Sequence, residues 1–139
     1  MRVFDRRIYV LIGAIALLFL FDFIALWNSL YFYYRWIDIP VHMIAGFLLA
    51  MLIFFIVFQN QVTRLVFSRP KIAEQVFTVC VFWVFVIAVL WELFELMIGR
   101  TSIRLSTTGD MLLDIVVTTG GAGIFYAIYR FLNRAKQEK

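Results

Sequence analysis

The stretch "LWELFELMIG", Leu90 to Gly99, is an oily run that carries two glutamates, Glu92 and Glu95, three residues apart. On a helix this spacing sets both carboxylates on nearly the same face, about one turn apart. In a bilayer such acids must be protonated, paired, or turned toward water or a cation. The rest of the chain decides which.

The surroundings of this run are apolar throughout. Of 139 residues, 64% are hydrophobic and 19% aromatic, with a mean hydropathy of +0.93; ordinary soluble domains hold roughly 45–50% apolar residues. This composition predicts an all-α integral membrane protein, a single domain over residues 1–139 built from four transmembrane helices. The expected spans are about 8–30, 39–58, 72–98 and 110–132, each near the ~20 residues that a bilayer requires. Asp38 and Pro40 are start signals for the second span. The first span follows Arg2, Arg6 and Arg7. Its run continues into "NSLYFYYRW" with no small-residue cleavage site, so it is expected to be a span rather than a signal peptide. The lone Cys80 allows no internal disulfide and is expected to be apolar filler.

The basic residues set an orientation. Arg2, Arg6, Arg7, Arg64, Arg69, Lys71, Arg130, Arg134, Lys136 and Lys139 flank one side of the predicted spans, and only Arg35, Arg100 and Arg104 the other. By the positive-inside rule both termini are expected to be cytoplasmic, with the first and third connections facing outward; the expected location is the cytoplasmic membrane. The net charge of +4 thus reflects membrane orientation, and no nucleic-acid partner is expected. Trp27, Tyr31, Tyr33, Tyr34 and Trp36 are expected to form an outer aromatic belt.

In that topology Asp38, His42, Glu92, Glu95, Asp110 and Asp114 converge on one level near the outer surface. Asp22 lies deeper, about 14 Å along the helix axis from Tyr31 at 1.5 Å per residue. Asp38 and His42 stand at i and i+4, as do Asp110 and Asp114, so each pair follows one helix face. Polar faces in lipid turn inward, which would bring the pairs together in the mouth of the bundle. Taken singly, Asp38 and Asp110 fit the bland role of complementing a helix N-terminus. Glu92 and Glu95 do not, because they approach a helix C-terminus, where the dipole disfavours negative charge. Arg35, Arg100 and Arg104 leave the six acids, Asp22 included, three cations short, a gap that protons or a bound cation would fill.

His42, the sole histidine, sits near a helix N-terminus, where the dipole favours the neutral imidazole, a ligand or general base. With Asp38, Glu92, Glu95, Asp110 and Asp114 it makes a candidate site for a divalent metal. One nitrogen among oxygens suits zinc, manganese or iron, and magnesium where water completes the shell. The small residues Ala45, Gly46 and Ala50, and "TTGGAG" at Thr118 to Gly123, are expected to let helices approach closely. Lacking the lysine and preceding strand of a phosphate loop, the second stretch reads as packing.

Taken in order, "IDIPVHMIAGF", "WELFE" and "GDMLLDIVVTTGGAG" resemble the VanZ-like and YjdF-like small bacterial membrane proteins over helices two to four. The resemblance marks the same six residues and implies a role in the cell envelope, with no activity attached.

Three functions follow as expectations. The first is metal-dependent chemistry on a lipid or lipid-linked envelope substrate, with Glu92 or Glu95 as the catalytic group that moves the proton. The second is transport or binding of protons or metal ions. The third is a structural subunit whose acids hold helices together, in contact with membrane lipids and with a second copy or a membrane partner.

Overall fold

The computed structural model describes residues 6–58, 70–97 and 108–137. Among them every regular element is helical. Helix α1 spans Arg6–Trp27, the single turn α2 Leu30–Tyr33, α3 Asp38–Phe58, α4 Pro70–Met97 and α5 Thr108–Gln137, with a 3-10 turn at Arg35–Ile37 before α3. Among the described residues four segments are long and apolar enough to cross a membrane: Ile8–Ala25, Asp38–Ile56, Glu74–Met97 and Thr108–Leu132. Large apolar side chains such as Val10, Leu17, Phe23, Val116 and Phe131 are exposed along these helices. That much apolar surface is at home in lipid and untenable in water.

Each helix turns one stripe inward. On α1 it is Ile8, Leu11, Ile15, Leu18, Asp22 and Ala25, all buried or half-buried, with alternating steps of three and four residues. On α4 it runs through Phe77, Cys80, Val84, Ala88, Glu92 and Glu95. Cys80 is therefore core filler, fully buried. The inward stripe of α4 ends in the two glutamates that opened the question.

Helix α5 packs along α3 and α4, and α1 rests on α3. Phe54 of α3 stacks on Phe77 near the start of α4 and meets Phe125 and Tyr129 of α5. At the other end His42 of α3 meets Thr118 of α5. Helices α3 and α5 therefore run parallel, while α4, with Phe77 against Phe54 and Trp91 beside His42 on a shared cavity, runs opposite to both.

Two glycines set the crossing of α3 and α5. A methyl group on Gly46 would overlap the carbonyl of Thr118, and one on Gly121 would overlap the carbonyl of Met43. Of the "TTGGAG" glycines Gly121 alone has this role; Gly120 and Gly123 face open space. In lipid no hydrophobic force drives helices together, so such backbone contact is a main source of their attraction.

The structure differs from expectation at the first connection. Helix α1 stops at Trp27 instead of continuing to residue 30. Both the amide and the side chain of Asn28 donate to the carbonyl of Ile24, at 3.0 and 2.8 Å, and Ser29 takes the left-handed conformation at φ 56°. A left-handed residue just past a helix end redirects the chain. The short α2 therefore folds back, and Tyr31 leaves the expected aromatic belt to become buried, its hydroxyl donating to Asp22 Oδ1. Trp27, Tyr33, Tyr34 and Trp36 remain exposed. Helix α4 begins at Pro70, whose missing N–H is harmless in a first turn, and α5 starts before Asp110 and runs on to Gln137.

The glycine contacts carry a prediction. Gly46→Ala and Gly121→Ala should each destabilise the protein in detergent by about 3 kcal/mol, near the upper end of overpacking costs. Gly120→Ala and Gly123→Ala should be neutral or slightly stabilising. Thermal melts of all four variants check this, and equal effects would mean that the helices are not held at these two points.

Candidate metal centre

The first turns of α3 set Asp38 and His42 on one face. The early turns of α5 set Asp114 and Thr118 on one face in the same way. Because Gly46 seats directly on the Thr118 backbone, the two faces are pressed together one turn away, at His42. His42 Nε2 lies 3.7 Å from Asp38 Oδ1 and 4.0 Å from Asp114 Oδ2. Its Nδ1 lies 3.1 Å from Thr118 Oγ1, and the Thr118 hydroxyl donates to the Asp114 carbonyl at 2.7 Å. His42, Asp114 and Thr118 are buried, and Asp38 is half-buried.

The donor set fits a divalent cation. One nitrogen and two carboxylate oxygens, from Asp38, His42 and Asp114, lie within 4.8 Å of one another. A hydrogen bond would draw Nε2 to about 2.7–3.2 Å from an oxygen, and both gaps are longer. Tetrahedral ligands at about 2.0–2.2 Å from zinc lie about 3.3–3.6 Å apart, so the gaps from His42 need close by only a few tenths of an ångström, while donor atoms spread over as much as 4.8 Å must draw further together to hold an ion. Among the described residues the group offers three protein donors, one imidazole nitrogen and two carboxylates. Asp38 in the first turn of α3 also lies where the helix dipole favours a carboxylate.

Among the described residues, this group joins three of the six residues singled out from the sequence. Glu92 and Glu95 are buried on the inward face of α4, each 4% exposed, but stand outside the group. Glu95 Oε1 accepts a hydrogen bond from Trp91 Nε1 at 2.8 Å. Asp110 is exposed and also outside it. Arg100 and Arg104, expected to balance these acids, lie outside the described residues, as does the side chain of Arg35.

A cavity of about 110 Å³ adjoins the group. Its walls come from α1, α3, α4 and, through Thr118, α5, and are mostly apolar, with Leu18, Phe19, Ala45, Leu49 and Ala88 among them. His42 and Thr118 supply polar atoms from one side and Asp22 from another. Trp91 forms part of the wall, packed on Phe19 at a ring separation of 5.3 Å. Thr118 and the Asp22–Tyr31 pair are contributors that the sequence reading missed. Thr118 was legible in principle, since it follows Asp114 by one turn as His42 follows Asp38.

Four membrane-length helices around a buried Asp/His/Asp group define a multi-pass membrane protein with a metal-compatible centre. The chain belongs to the family described as "Predicted membrane protein (DUF2238)", whose family model matches residues 2–135. Neither a curated protein nor a solved structure matches it significantly.

Shared contacts make energies non-additive. A double-mutant cycle between His42→Ala and Asp114→Asn should show a coupling of about 0.5–3 kcal/mol in unfolding free energy, whereas His42→Ala with Asp110→Asn should be additive within about 0.5 kcal/mol. Denaturation of wild type, the three single variants and the two double variants in detergent measures both.

Proposed function

We propose that this protein acts in the cytoplasmic membrane on a lipid or lipid-linked envelope substrate, using a divalent cation held by Asp38, His42 and Asp114. The observation that carries the reading is the double duty of His42: one ring nitrogen faces two carboxylates, and the same residue lines an apolar cavity between membrane-spanning helices. A ligand with an apolar chain and a polar head matches that pairing, the chain among Leu18, Phe19 and Leu49 and the head against the centre. A bound divalent cation would supply Lewis acidity there.

The protein's own groups have distinct roles in this reading. Asp38, His42 and Asp114 bind and orient; Asp110, exposed one turn before Asp114, draws cations toward the site. Glu95 is the candidate for moving a proton, since Trp91 ties it to the cavity wall; Glu92, one turn before it on the inward face, is the alternative. The resemblance to VanZ-like proteins supports an envelope substrate, and the distribution of lysine and arginine supports cytoplasmic termini with the centre toward the outer surface.

The transport reading fares worse. Below Thr118 the inward faces of α3, α4 and α5 meet in Phe54, Phe77, Phe125 and Tyr129, an interior that among the described residues is chiefly aromatic and ill suited to a hydrated ion.

Metal analysis of protein purified without chelators, then exposed to zinc, manganese, iron or magnesium, should find about one equivalent of one of them. His42→Ala and Asp114→Asn should lose it with the fold retained. A wild type that holds none would remove the metal from the proposal. The apolar half has a separate check: Ala45→Leu, which fills the cavity, should reduce co-purified lipid seen by mass spectrometry and leave metal content intact. For orientation, a fluorescent protein fused after Lys139 should fluoresce and an exported phosphatase at the same place should be inactive.

A further inference from the structure

We propose that Thr118 is the positioning residue of the centre: it holds the His42 ring in the tautomer that presents the Nε2 lone pair to the ion. The inference rests on the metal reading above, but its first test does not require a metal.

The protons can be counted. A threonine hydroxyl has one hydrogen and accepts with its oxygen. That hydrogen is committed to the Asp114 carbonyl at 2.7 Å, so toward His42, at 3.1 Å, the oxygen acts as acceptor and Nδ1 is the donor. A neutral imidazole carries a single N–H. With it on Nδ1, Nε2 bears the lone pair, and Nε2 is the nitrogen that faces Asp38 and Asp114.

The opposing tendency is the attraction of two carboxylates for a proton on Nε2. Distance decides between them. A charge-assisted N–H···O bond closes to about 2.7–2.9 Å, and neither 3.7 nor 4.0 Å is close to that. The gap on the Nε2 side has the width for an ion, and the gap on the Nδ1 side has the width of a hydrogen bond. A ligating histidine commonly donates its other N–H to a fixed acceptor, and loss of such an acceptor costs about 10–100-fold in metal affinity. Thr118 is that acceptor, and it is rigid for a local reason: its backbone is clamped against Gly46.

The sole histidine makes the test direct, because ¹⁵N labelling of histidine gives one pair of ring signals. In metal-free wild type in alkaline buffer, Nδ1 should appear protonated and Nε2 unprotonated. A proton on Nε2 overturns the proposal. Thr118→Val, close in shape but without the hydroxyl, should shift the ring toward the other tautomer and weaken zinc binding 10–100-fold. Thr118→Ser should restore both. Melting curves identify any variant that fails to fold, and Thr118→Ser then carries the comparison, expected to keep the wild-type ring signals. A folded Thr118→Val with unchanged ring signals and unchanged zinc affinity overturns the proposal and leaves Thr118 a packing residue. Should wild type bind no metal, the function proposed above fails, while the metal-free spectrum still decides the tautomer.

Discussion

The contact on which the structure depends is the backbone-to-backbone approach of α3 and α5 at Gly46 and Gly121. Each glycine meets a carbonyl of the other helix where a methyl group would not fit. Separating the helices by the thickness of one side chain would move His42 beyond reach of Thr118 and spread the two carboxylates across the gap. The site is therefore a consequence of the crossing. Its candidate donor groups sit on side chains one turn away, which inherit the rigidity of two helices and owe nothing to a loop.

A second constraint is how ionisable groups are tolerated at this depth. Three of the described inward acids sit beside polar groups: Asp22 accepts from Tyr31, Glu95 from Trp91, and Asp114 lies beside His42. These partners are themselves amphipathic or aromatic, so their apolar bodies pack in the bundle while one polar atom meets the carboxylate. The Asp22 contact requires the chain to turn back at Ser29, which makes the short α2 part of the polar layer rather than a mere connection.

The architecture was legible because the bilayer imposes it. Span length, inward stripes and the basic flanks can be read one helix at a time, and the acids on them were placed at one end of the bundle for the same reason. Which acids meet was not legible in that way. Sequence spacing reports the face of a single helix, whereas the grouping of Asp38 and His42 with Asp114, but not with Glu92, Glu95 or Asp110, depends on where two helices cross. Gly46 and "TTGGAG" signalled close packing without saying which glycine meets which backbone. An unbroken helix through this region would hold Asp22 and Tyr31 about 14 Å apart along its axis. The break rests on Asn28 turning its amide back to Ile24 and on a serine, rather than a glycine, in the left-handed conformation, a weak signal in sequence.

The distribution of polar groups along the bundle bears on whether an ion held here is a resident or a passenger. Past the centre, the next side-chain hydroxyls on α5 belong to Thr118 and Thr119, and both donate back to carbonyls of their own helix, Asp114 and Ile115. Hydroxyls engaged in this way are poorly placed to hand an ion onward. Beyond them the rings of Phe54, Phe77 and Phe125 close the interior with mutual separations near 5.8 Å, and Ala50, Cys80 and Ala122 fill the space between helices. Among the described residues that half is packed mainly with aromatic and small apolar side chains, with the Cys80 thiol and the Tyr129 hydroxyl as buried exceptions. An apolar cavity beside His42, above an interior packed with aromatic rings, is the geometry on which the proposal of a resident cation rests.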